Sequence, residues 1–294
     1  MRHSWRLYLL LLPAAAYLFV FHYLPIFGVQ IAFRDFMTSK GYWGSNWVGL
    51  KHFRYFTQSP QFPILMRNTV LLSLYELLFG FPVPIILALA LNECRSMAAK
   101  KFVQNVTYAP HFISTVVLCG MVVSFLSPST GIINTLLQAA GAQPTDFMGK
   151  ERWFRTIYIG SGIWKNSGWS SIIYLAALSG IDPQLHESAQ MDGASRFKRL
   201  VHINLPGILP TMILLFILEC GKIMSIGFEK VYLLQNALNL STSEIISTYV
   251  YKVGLLQAKF SYTTAIGLFN SVINVTLLLV VNRISKLVSE TSLF

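Results

Sequence analysis

Long apolar stretches alternate with shorter polar segments along the chain, and this pattern predicts a bundle of membrane-spanning helices. A spanning helix needs about 20 mostly apolar residues. Six stretches meet or approach this length, at residues 7–33, 69–91, 109–126, 157–178, 208–228 and 263–281. We therefore predict an all-α fold, in which one transmembrane domain over residues 1–294 holds six transmembrane helices.

The first apolar stretch resembles a cleaved signal peptide at its start, because Arg2 and Arg6 precede an apolar run that contains small residues. The run continues well beyond Ala16 to Tyr23 and Leu24, which favours an uncleaved first helix. In the second stretch, residues 80–84 hold one glycine and two prolines. We expect this Gly-Phe-Pro-Val-Pro segment to interrupt and kink the helix. A packing kink and a role in gating both remain open.

The composition supports a membrane protein and excludes most soluble classes. Apolar residues make up 54% of the chain and charged residues only 12%, whereas soluble domains carry about 25% charged residues. Lys and Arg outnumber Asp and Glu by 23 to 12. These basic residues are scattered over short loops, so we expect no nucleic-acid partner.

The distribution of Lys and Arg predicts the orientation. They are slightly denser in the set of loops that includes both termini and residues 179–207 than in the opposite set. Cytoplasmic loops of membrane proteins are enriched in these residues. The sequence therefore predicts that both termini and the loop at 179–207 face the cytoplasm.

The loop at residues 179–207 has the pattern of a helix–turn–helix. Asp182 followed by Pro183 is a strong helix start, with a capping side chain and a proline in the first turn. Gly193 permits a sharp turn, and Pro206 is expected to end the second helix before the fifth span. Such a helix pair suits docking into a groove on another protein, although basic amphipathic helices also lie on membrane surfaces.

The residues of this loop resemble the EAA loop in the integral membrane permeases of ABC importers. The pattern E-A-A-x-x-D-G-A, closed later by I-x-L-P, is matched by Glu187, Ala189, Asp192, Gly193, Ala194, Ile203, Leu205 and Pro206. Ser188 replaces the middle alanine, which is a small-for-small change. The W-V-G-L-x-x-F stretch from Trp47 to Phe53 is also similar to one in these permeases, although it equally fits an interfacial aromatic cluster. The chain is most similar to the sugar permeases of the LplB and MalF type.

The resemblance implies a permease subunit that moves an oligosaccharide or polysaccharide across the bacterial cytoplasmic membrane. The implied partners are a second permease, expected to be a different chain, two ABC ATPases, an extracytoplasmic solute-binding protein, the saccharide and membrane lipid. The chain has no G-x-x-x-x-G-K-[ST] phosphate loop, so ATP and Mg²⁺ are expected to be used by the ATPases. The chain itself is expected to bind no cofactor and to catalyse no reaction.

By the same resemblance, the cytoplasmic helix pair would couple the permease to the ATPases. Residues 187–193 would enter a cleft on the ATPase. The second helix would pack on the first through Phe197 and Leu200. The coupling residues implied are Glu187, Ser188, Ala189, Asp192, Gly193, Ala194, Phe197 and Leu200. Closure of the ATPase pair would then tilt the spans and switch access to the pathway.

Polar residues within the spans are the candidates for the substrate pathway, because such residues usually face the bundle interior or a water-filled cavity. The candidates are Tyr75, Glu76, Trp164, Lys165, Asn166, Trp169, Glu219, Lys222, Asn270 and Asn274. The two tryptophans beside a lysine and an amide suit a sugar, and the lysine suits a uronic acid. They equally fit helix anchoring, while Glu219 and Lys222 share a helix face and could pair with each other.

Two other functions are considered. A secondary transporter of a small polar solute needs its own coupling-ion site and often has two related halves, and the sequence contains neither feature. A membrane enzyme or a metal site is disfavoured because the histidines and carboxylates lack a spacing such as H-E-x-x-H.

Overall fold

A computed structural model of the protein describes residues 5–289, which are predominantly helical. This agrees with the predicted fold class. The described chain divides into two compact units, the first comprising residues 5–62 and 249–272, the second residues 63–248 and 273–289. The predicted cytoplasmic termini include residues 1–4 and 290–294, which lie outside the described residues.

The first unit begins with a long apolar helix at the place the sequence predicts. Helix α1 (Trp5–Leu18) continues as a π-helical turn (Phe19–Tyr23) and a 3-10 segment (Leu24–Phe33). Over Tyr8–Phe33 this helix is long and apolar enough to cross a membrane. Residues 8–27 of this helix are exposed within the chain, as expected for a helix whose apolar surface faces lipid or another membrane protein, whereas Ala32 near its end is buried.

A short β-ladder follows the first helix. Strands β1 (Arg34–Asp35) and β2 (Asn46–Trp47) pair antiparallel and enclose α2 (Gly41–Gly44), and α3 (Lys51–Thr57) comes after them. The Lys51 ammonium contacts Asp35 at 2.7 Å. This hydrogen bond lowers the pKa of Asp35 below its ordinary value.

The predicted second span is one helix rather than a broken one. Helix α4 (Gln61–Tyr75) continues through a π-helical turn (Glu76–Gly80) into α5 (Pro82–Asn92). The backbone N–H of Phe81 donates to the Glu76 carbonyl, five residues back, at 3.2 Å. The prediction of an interruption at residues 80–84 is wrong, because this wider turn accommodates prolines that cannot donate a normal helical bond.

The predicted third span is wrong as a single helix. Helix α6 (Met97–Tyr108) ends in a 3-10 turn (Ala109–Phe112), and α7 (Thr115–Phe125) leaves it at 102°. The break has a local cause, because the Ser114 hydroxyl accepts a hydrogen bond from the backbone N–H of Val117 at 3.3 Å. This cap starts a new helix.

The fourth predicted span lies inside α9, which follows the short helix α8. Helix α8 covers Ile132–Ala139 and α9 covers Glu151–Ser179. Among the described helices, four are long and apolar enough to cross a membrane, or five if the bent pair is counted as one. Helix α9 is not among them, since its sequence carries charged residues such as Lys165 and a run of small polar residues.

The fifth predicted span begins earlier and ends earlier than expected. Helix α10 (Pro183–Met191) is followed by α11 (Arg196–Arg199), a π-helical turn (Leu200–Asn204) and α12 (Leu205–Cys220). The expectation that Pro206 ends a separate helix is wrong. The N–H of Leu205 donates to the carbonyl of Leu200, so one helix passes through the proline.

The remaining helices are short except for the last. They are a 3-10 turn (Ile223–Ser225), α13 (Phe228–Leu234), α14 (Leu240–Ser243), α15 (Ile246–Val250), a π-helical turn (Tyr251–Leu256) and α16 (Phe260–Ser289). Helix α16 contains the sixth predicted span. Residues 221–228, predicted to belong to the fifth span, instead leave the helix at Gly221.

Candidate transport pathway and coupling loop

The second unit contains a cavity of about 540 Å³, whose wall combines apolar side chains with charged and polar ones. Side chains from α4 and its π-helical turn, α7, α9, α12 and α13 line it. Among the described lining residues, five are charged: Glu76, Lys165, Glu219, Lys222 and Lys230. Three ammonium groups therefore face two carboxylates, and Ser167, Ser170 and Asn166 add groups that can bond to hydroxyls.

Glu219 and Lys222 line the cavity and also pair with each other. The Lys222 ammonium lies 3.5 Å from the Glu219 carboxylate, and both side chains are more than half exposed. This contact agrees with the expectation that residues three apart on a helix could pair. An exposed pair of this kind contributes little to stability, so it leaves both groups able to exchange partners with a ligand.

Lys230 and Glu76 approach each other where α9 has a glycine. The Lys230 ammonium donates to the Tyr158 carbonyl at 2.5 Å and lies 4.3 Å from the centre of the Tyr158 ring. A Cβ on Gly162 would be 2.9 Å from this ammonium and 4.0 Å from a Glu76 oxygen. The ammonium therefore occupies space that a side chain at position 162 would fill, and the carboxylate lies just beyond it.

Lys230 is a cavity residue that the sequence analysis missed. The sequence places it in a loop, two residues beyond the predicted fifth span at residues 208–228. The chain instead leaves the helix at Gly221, and α13 packs into the second unit through Val231 and Leu234, which are fully buried. A lysine two residues after an apolar run, next to Glu229, was the only signal available in the sequence.

The structure brings Lys165 and Asn166 to the cavity wall but leaves their neighbouring tryptophans outside it. The Lys165 ammonium donates to the Thr115 hydroxyl at 3.1 Å. Trp169 stacks on the His111 ring at 4.7 Å, and Trp164 is half exposed. Neither tryptophan is among the described lining residues. The arrangement of two aromatic rings around a lysine, which the sequence suggested for a sugar, is therefore not assembled.

The other candidates lie away from the cavity wall. Tyr75 packs against the buried cluster around Leu72. Asn274 accepts a hydrogen bond from the Met224 N–H at 2.9 Å and donates to the Ser225 hydroxyl at 2.7 Å, so it holds the 3-10 turn. Asn270 is half-buried in the part of α16 that belongs to the first unit.

The helix–turn–helix predicted at residues 179–207 has the local geometry that its sequence dictates. The Asp182 carboxylate accepts from the Gln184 N–H at 2.9 Å and caps α10. Gly193 has φ +73°, a conformation that residues with a Cβ resist. The Ala194 N–H bonds back to the Ala189 carbonyl at 2.9 Å, and Ser195 caps the next helix.

The surface of this loop is open. Glu187, Ser188, Asp192 and Gly193 are exposed, whereas Ala189 and Ala194 are half-buried. Large apolar groups are exposed beside them, with Met191 at 89% and Phe197 at 74%. Phe197 was expected to pack the second helix against the first, and this is wrong, whereas Leu200 does pack inward, against the buried cluster around Ile208.

These features define a class of protein: a multi-pass helical membrane protein with a charged internal cavity and an exposed helical loop. A family model described as the binding-protein-dependent transport system inner membrane component matches residues 66–290. The chain belongs to this family. It is therefore a permease component of a transport system in the cell membrane, and not an ATPase or another enzyme.

Individual relatives match over almost the whole chain. Protein LplB of Bacillus subtilis (strain 168) is 44% identical over 293 residues, which is 100% of this chain and 92% of the relative. The polygalacturonan/rhamnogalacturonan transport system permease protein YteP of the same strain is 46% identical, covering 98% and 90%. A chain of a crystal structure of a bacterial ABC transporter, involved in the import of the acidic polysaccharide alginate, matches with 43% identity. Its TM-score is 0.92, with 98% and 97% of the two chains covered. These matches confirm the resemblance inferred from the sequence.

Proposed function

We propose that this chain is a permease subunit of an ATP-driven ABC importer that carries an oligosaccharide or polysaccharide into the cell. The observation that carries this proposal is the cavity of the second unit with its five charged side chains, in a chain that matches a chain of an alginate importer over almost its whole length. The cavity offers hydroxyl, amide and charged groups along its wall, which suits a ligand rich in hydroxyl groups.

The charge of the cavity favours an acidic saccharide. Three ammonium groups face two carboxylates. Glu219 and Lys222 pair with each other, and Glu76 lies near Lys230. Lys165, in contrast, contacts only a neutral hydroxyl among the contacts described for it. Lys165 is therefore the cation best placed to bind a sugar carboxylate, with a charge-assisted hydrogen bond. Two of the matched proteins are described by polygalacturonan and rhamnogalacturonan transport or by import of the acidic polysaccharide alginate, which supports the same choice.

The exposed helix–turn–helix is the part proposed to couple the permease to its ATPases. In this role Glu187, Ser188, Ala189, Asp192, Gly193 and Ala194 form the contact surface, and the exposed Phe197 adds an apolar anchor of the kind that dominates interfaces. Leu200 supports the second helix from inside. ATP and Mg²⁺ are used by two partner ATPases, and this chain contributes no cofactor site.

The assembly proposed is a heterodimer of permeases with two ATPases and an extracytoplasmic solute-binding protein. One matched crystal structure is described as an alginate transporter in complex with a periplasmic protein that holds an alginate pentasaccharide. We further propose six membrane crossings with both termini and the coupling loop in the cytoplasm. Five of these crossings would be the apolar helices already described, counting the bent pair, and the sixth would be α9.

Co-purification tests the proposed assembly. The chain would be tagged in its native membrane, extracted gently, and its bound proteins identified. Recovery of an ATPase and a second, different permease supports the proposal. Recovery of the chain alone, with uptake intact and independent of ATP, would contradict it and favour a secondary transporter. Uptake of oligogalacturonates against neutral oligosaccharides then tests the charge of the substrate.

A further inference from the structure

A buried polar contact lies at the base of the coupling loop. The side-chain amide of Asn204 donates from Nδ2 to Oε1 of Glu93 at 3.1 Å. Asn204 is 0% exposed, and Glu93 is half-buried. The two residues are 111 positions apart in the chain, so this bond joins two helices that the sequence does not connect directly.

The surroundings make this bond costly to lose. Asn204 is the last residue of the π-helical turn that precedes α12, and its neighbours Leu200 and Leu205 pack on the apolar cluster around Ile208. An amide buried among apolar groups has no water to replace a lost partner, so removal of the acceptor leaves the donor unsatisfied.

The first helix joined by this bond begins beside the turn of the coupling loop. The helix of Asn204 runs without interruption over Arg196–Cys220, and it starts two residues after Ala194, whose N–H closes the turn at Gly193. A movement of α10 therefore reaches this helix through a short, hydrogen-bonded turn. Leu215 and Glu219 of the same helix line the cavity.

The second helix joined by this bond forms another wall of the cavity. Glu93 directly follows α5, which ends the continuous helix Gln61–Asn92. That helix supplies Glu76, Gly80 and Pro84 to the cavity lining. The Asn204–Glu93 bond therefore links the helix that follows the coupling loop to the helix that carries one of the cavity carboxylates.

Both linked helices contain a π-helical turn. One turn covers Leu200–Asn204 and includes Asn204 itself, and the other covers Glu76–Gly80 at the cavity. Such turns are found frequently at functional sites in helices. They are also points where a helix bends, so a displacement applied at Asn204 and Glu93 can change the angle of the cavity wall.

We propose that Asn204 and Glu93 are a pair of positioning residues that transmit the movement of the coupling loop to the cavity wall. This inference rests on the proposed function, because it needs an ATPase that moves α10. When the ATPase pair closes, the bond makes the second and fifth spans move together at their coupling-loop ends. Without the bond, ATP hydrolysis continues, but the cavity wall moves less completely in each cycle. Less saccharide is then taken up per ATP hydrolysed.

The test uses the complete complex in proteoliposomes, with a short oligogalacturonate supplied on its binding protein. The quantity measured is saccharide taken up per ATP hydrolysed. Asn204→Asp places two carboxylates opposite each other, and the ratio should fall about tenfold, within the usual range of coupling energies. Adding Glu93→Gln restores a donor and an acceptor in reversed order, so the double variant should recover most of the wild-type ratio.

A control separates coupling from stability. Asn134 is another buried asparagine of the second unit, and its amide donates to the carbonyls of Leu126 and Ser127 near α8. Asn134→Asp should lower the melting temperature of the complex and leave the uptake per ATP unchanged. If Asn204→Asp does not assemble, Glu93→Ala can be used instead. It removes the acceptor of the same bond at a half-buried position, and it should lower the uptake per ATP in the same way.

Two results would overturn the inference: an unchanged ratio in Asn204→Asp or Glu93→Ala, or a loss in Asn204→Asp that Glu93→Gln does not repair. Failure of the proposed function would give a different result, which appears already in the wild-type complex. That complex would take up oligogalacturonate and neutral oligosaccharides without any dependence on ATP.

Discussion

The turn at Gly193 allows the coupling role to be tested by backbone strain alone. Gly193 has φ +73°, and a Cβ built on it would meet no atom within 4 Å. A substitution there therefore causes no clash with the rest of the chain, and its effect comes from the backbone. The left-handed conformation costs an L-residue about 1–2 kcal/mol. The cost is larger for a β-branched residue and smaller for asparagine.

The expected order of effects follows from these costs. Gly193→Asn should retain most uptake, Gly193→Ala should lose part of it, and Gly193→Val should lose nearly all. A cost of about 2 kcal/mol lowers the ratio of formed to unformed turn by about 30-fold. The measurement is ATP-driven saccharide uptake in proteoliposomes, normalised to the amount of complex inserted into the membrane.

A matched control exists in the same unit. Gly141 has φ +80°, and a Cβ there would also meet nothing within 4 Å. It follows α8 and lies outside the coupling loop, so Gly141→Val carries a similar strain without affecting uptake. Normal uptake in Gly193→Val, or equal losses in the two valine variants, would refute the coupling role of the turn.

Three further predictions test packing, an ion pair and the cavity. Gly168→Ala should lower the melting temperature, because its Cβ would lie 2.1 Å from a backbone oxygen of α6 and overpacking costs about 1–3 kcal/mol. Gly160→Ala in the same helix meets no atom within 4 Å and should not lower it. Lys51→Ala should lower thermal stability at neutral pH. Because the pKa of Asp35 is lowered in the folded protein, this difference should disappear as the pH falls through that lowered pKa. Lys165→Ala should reduce uptake of uronate oligomers more than that of neutral ones, and equal reductions would indicate a structural lysine.

Local features of the fold could be predicted from the sequence where a few neighbouring residues determine the conformation. Asp182 caps the helix that starts at Pro183, as their order predicts, and Gly193 takes the turn that it was expected to take, with a positive φ. The apolar stretch at residues 7–33 is also one helix, because its composition alone requires internal backbone bonds in a membrane.

Features that depend on helix geometry over a longer range could not be predicted. Pro82 and Pro206 were expected to interrupt or end helices, but π-helical turns carry the helix through both. The helix ends at Gly221 and Lys230 on the following helix lines the cavity, and no spacing in the sequence indicates this placement. Trp169 is not among the described cavity-lining residues for a related reason, since it stacks on His111, which comes from the distant 3-10 turn at Ala109–Phe112.

ATP-dependent uptake by the purified complex tests the central claim most directly. The complex that contains this chain would be reconstituted in proteoliposomes with its binding protein, and oligogalacturonate accumulation would be measured with and without ATP. The account predicts accumulation that requires both ATP and the binding protein, and that Gly193→Val abolishes. Accumulation that persists without ATP and is unaffected by Gly193→Val would contradict it.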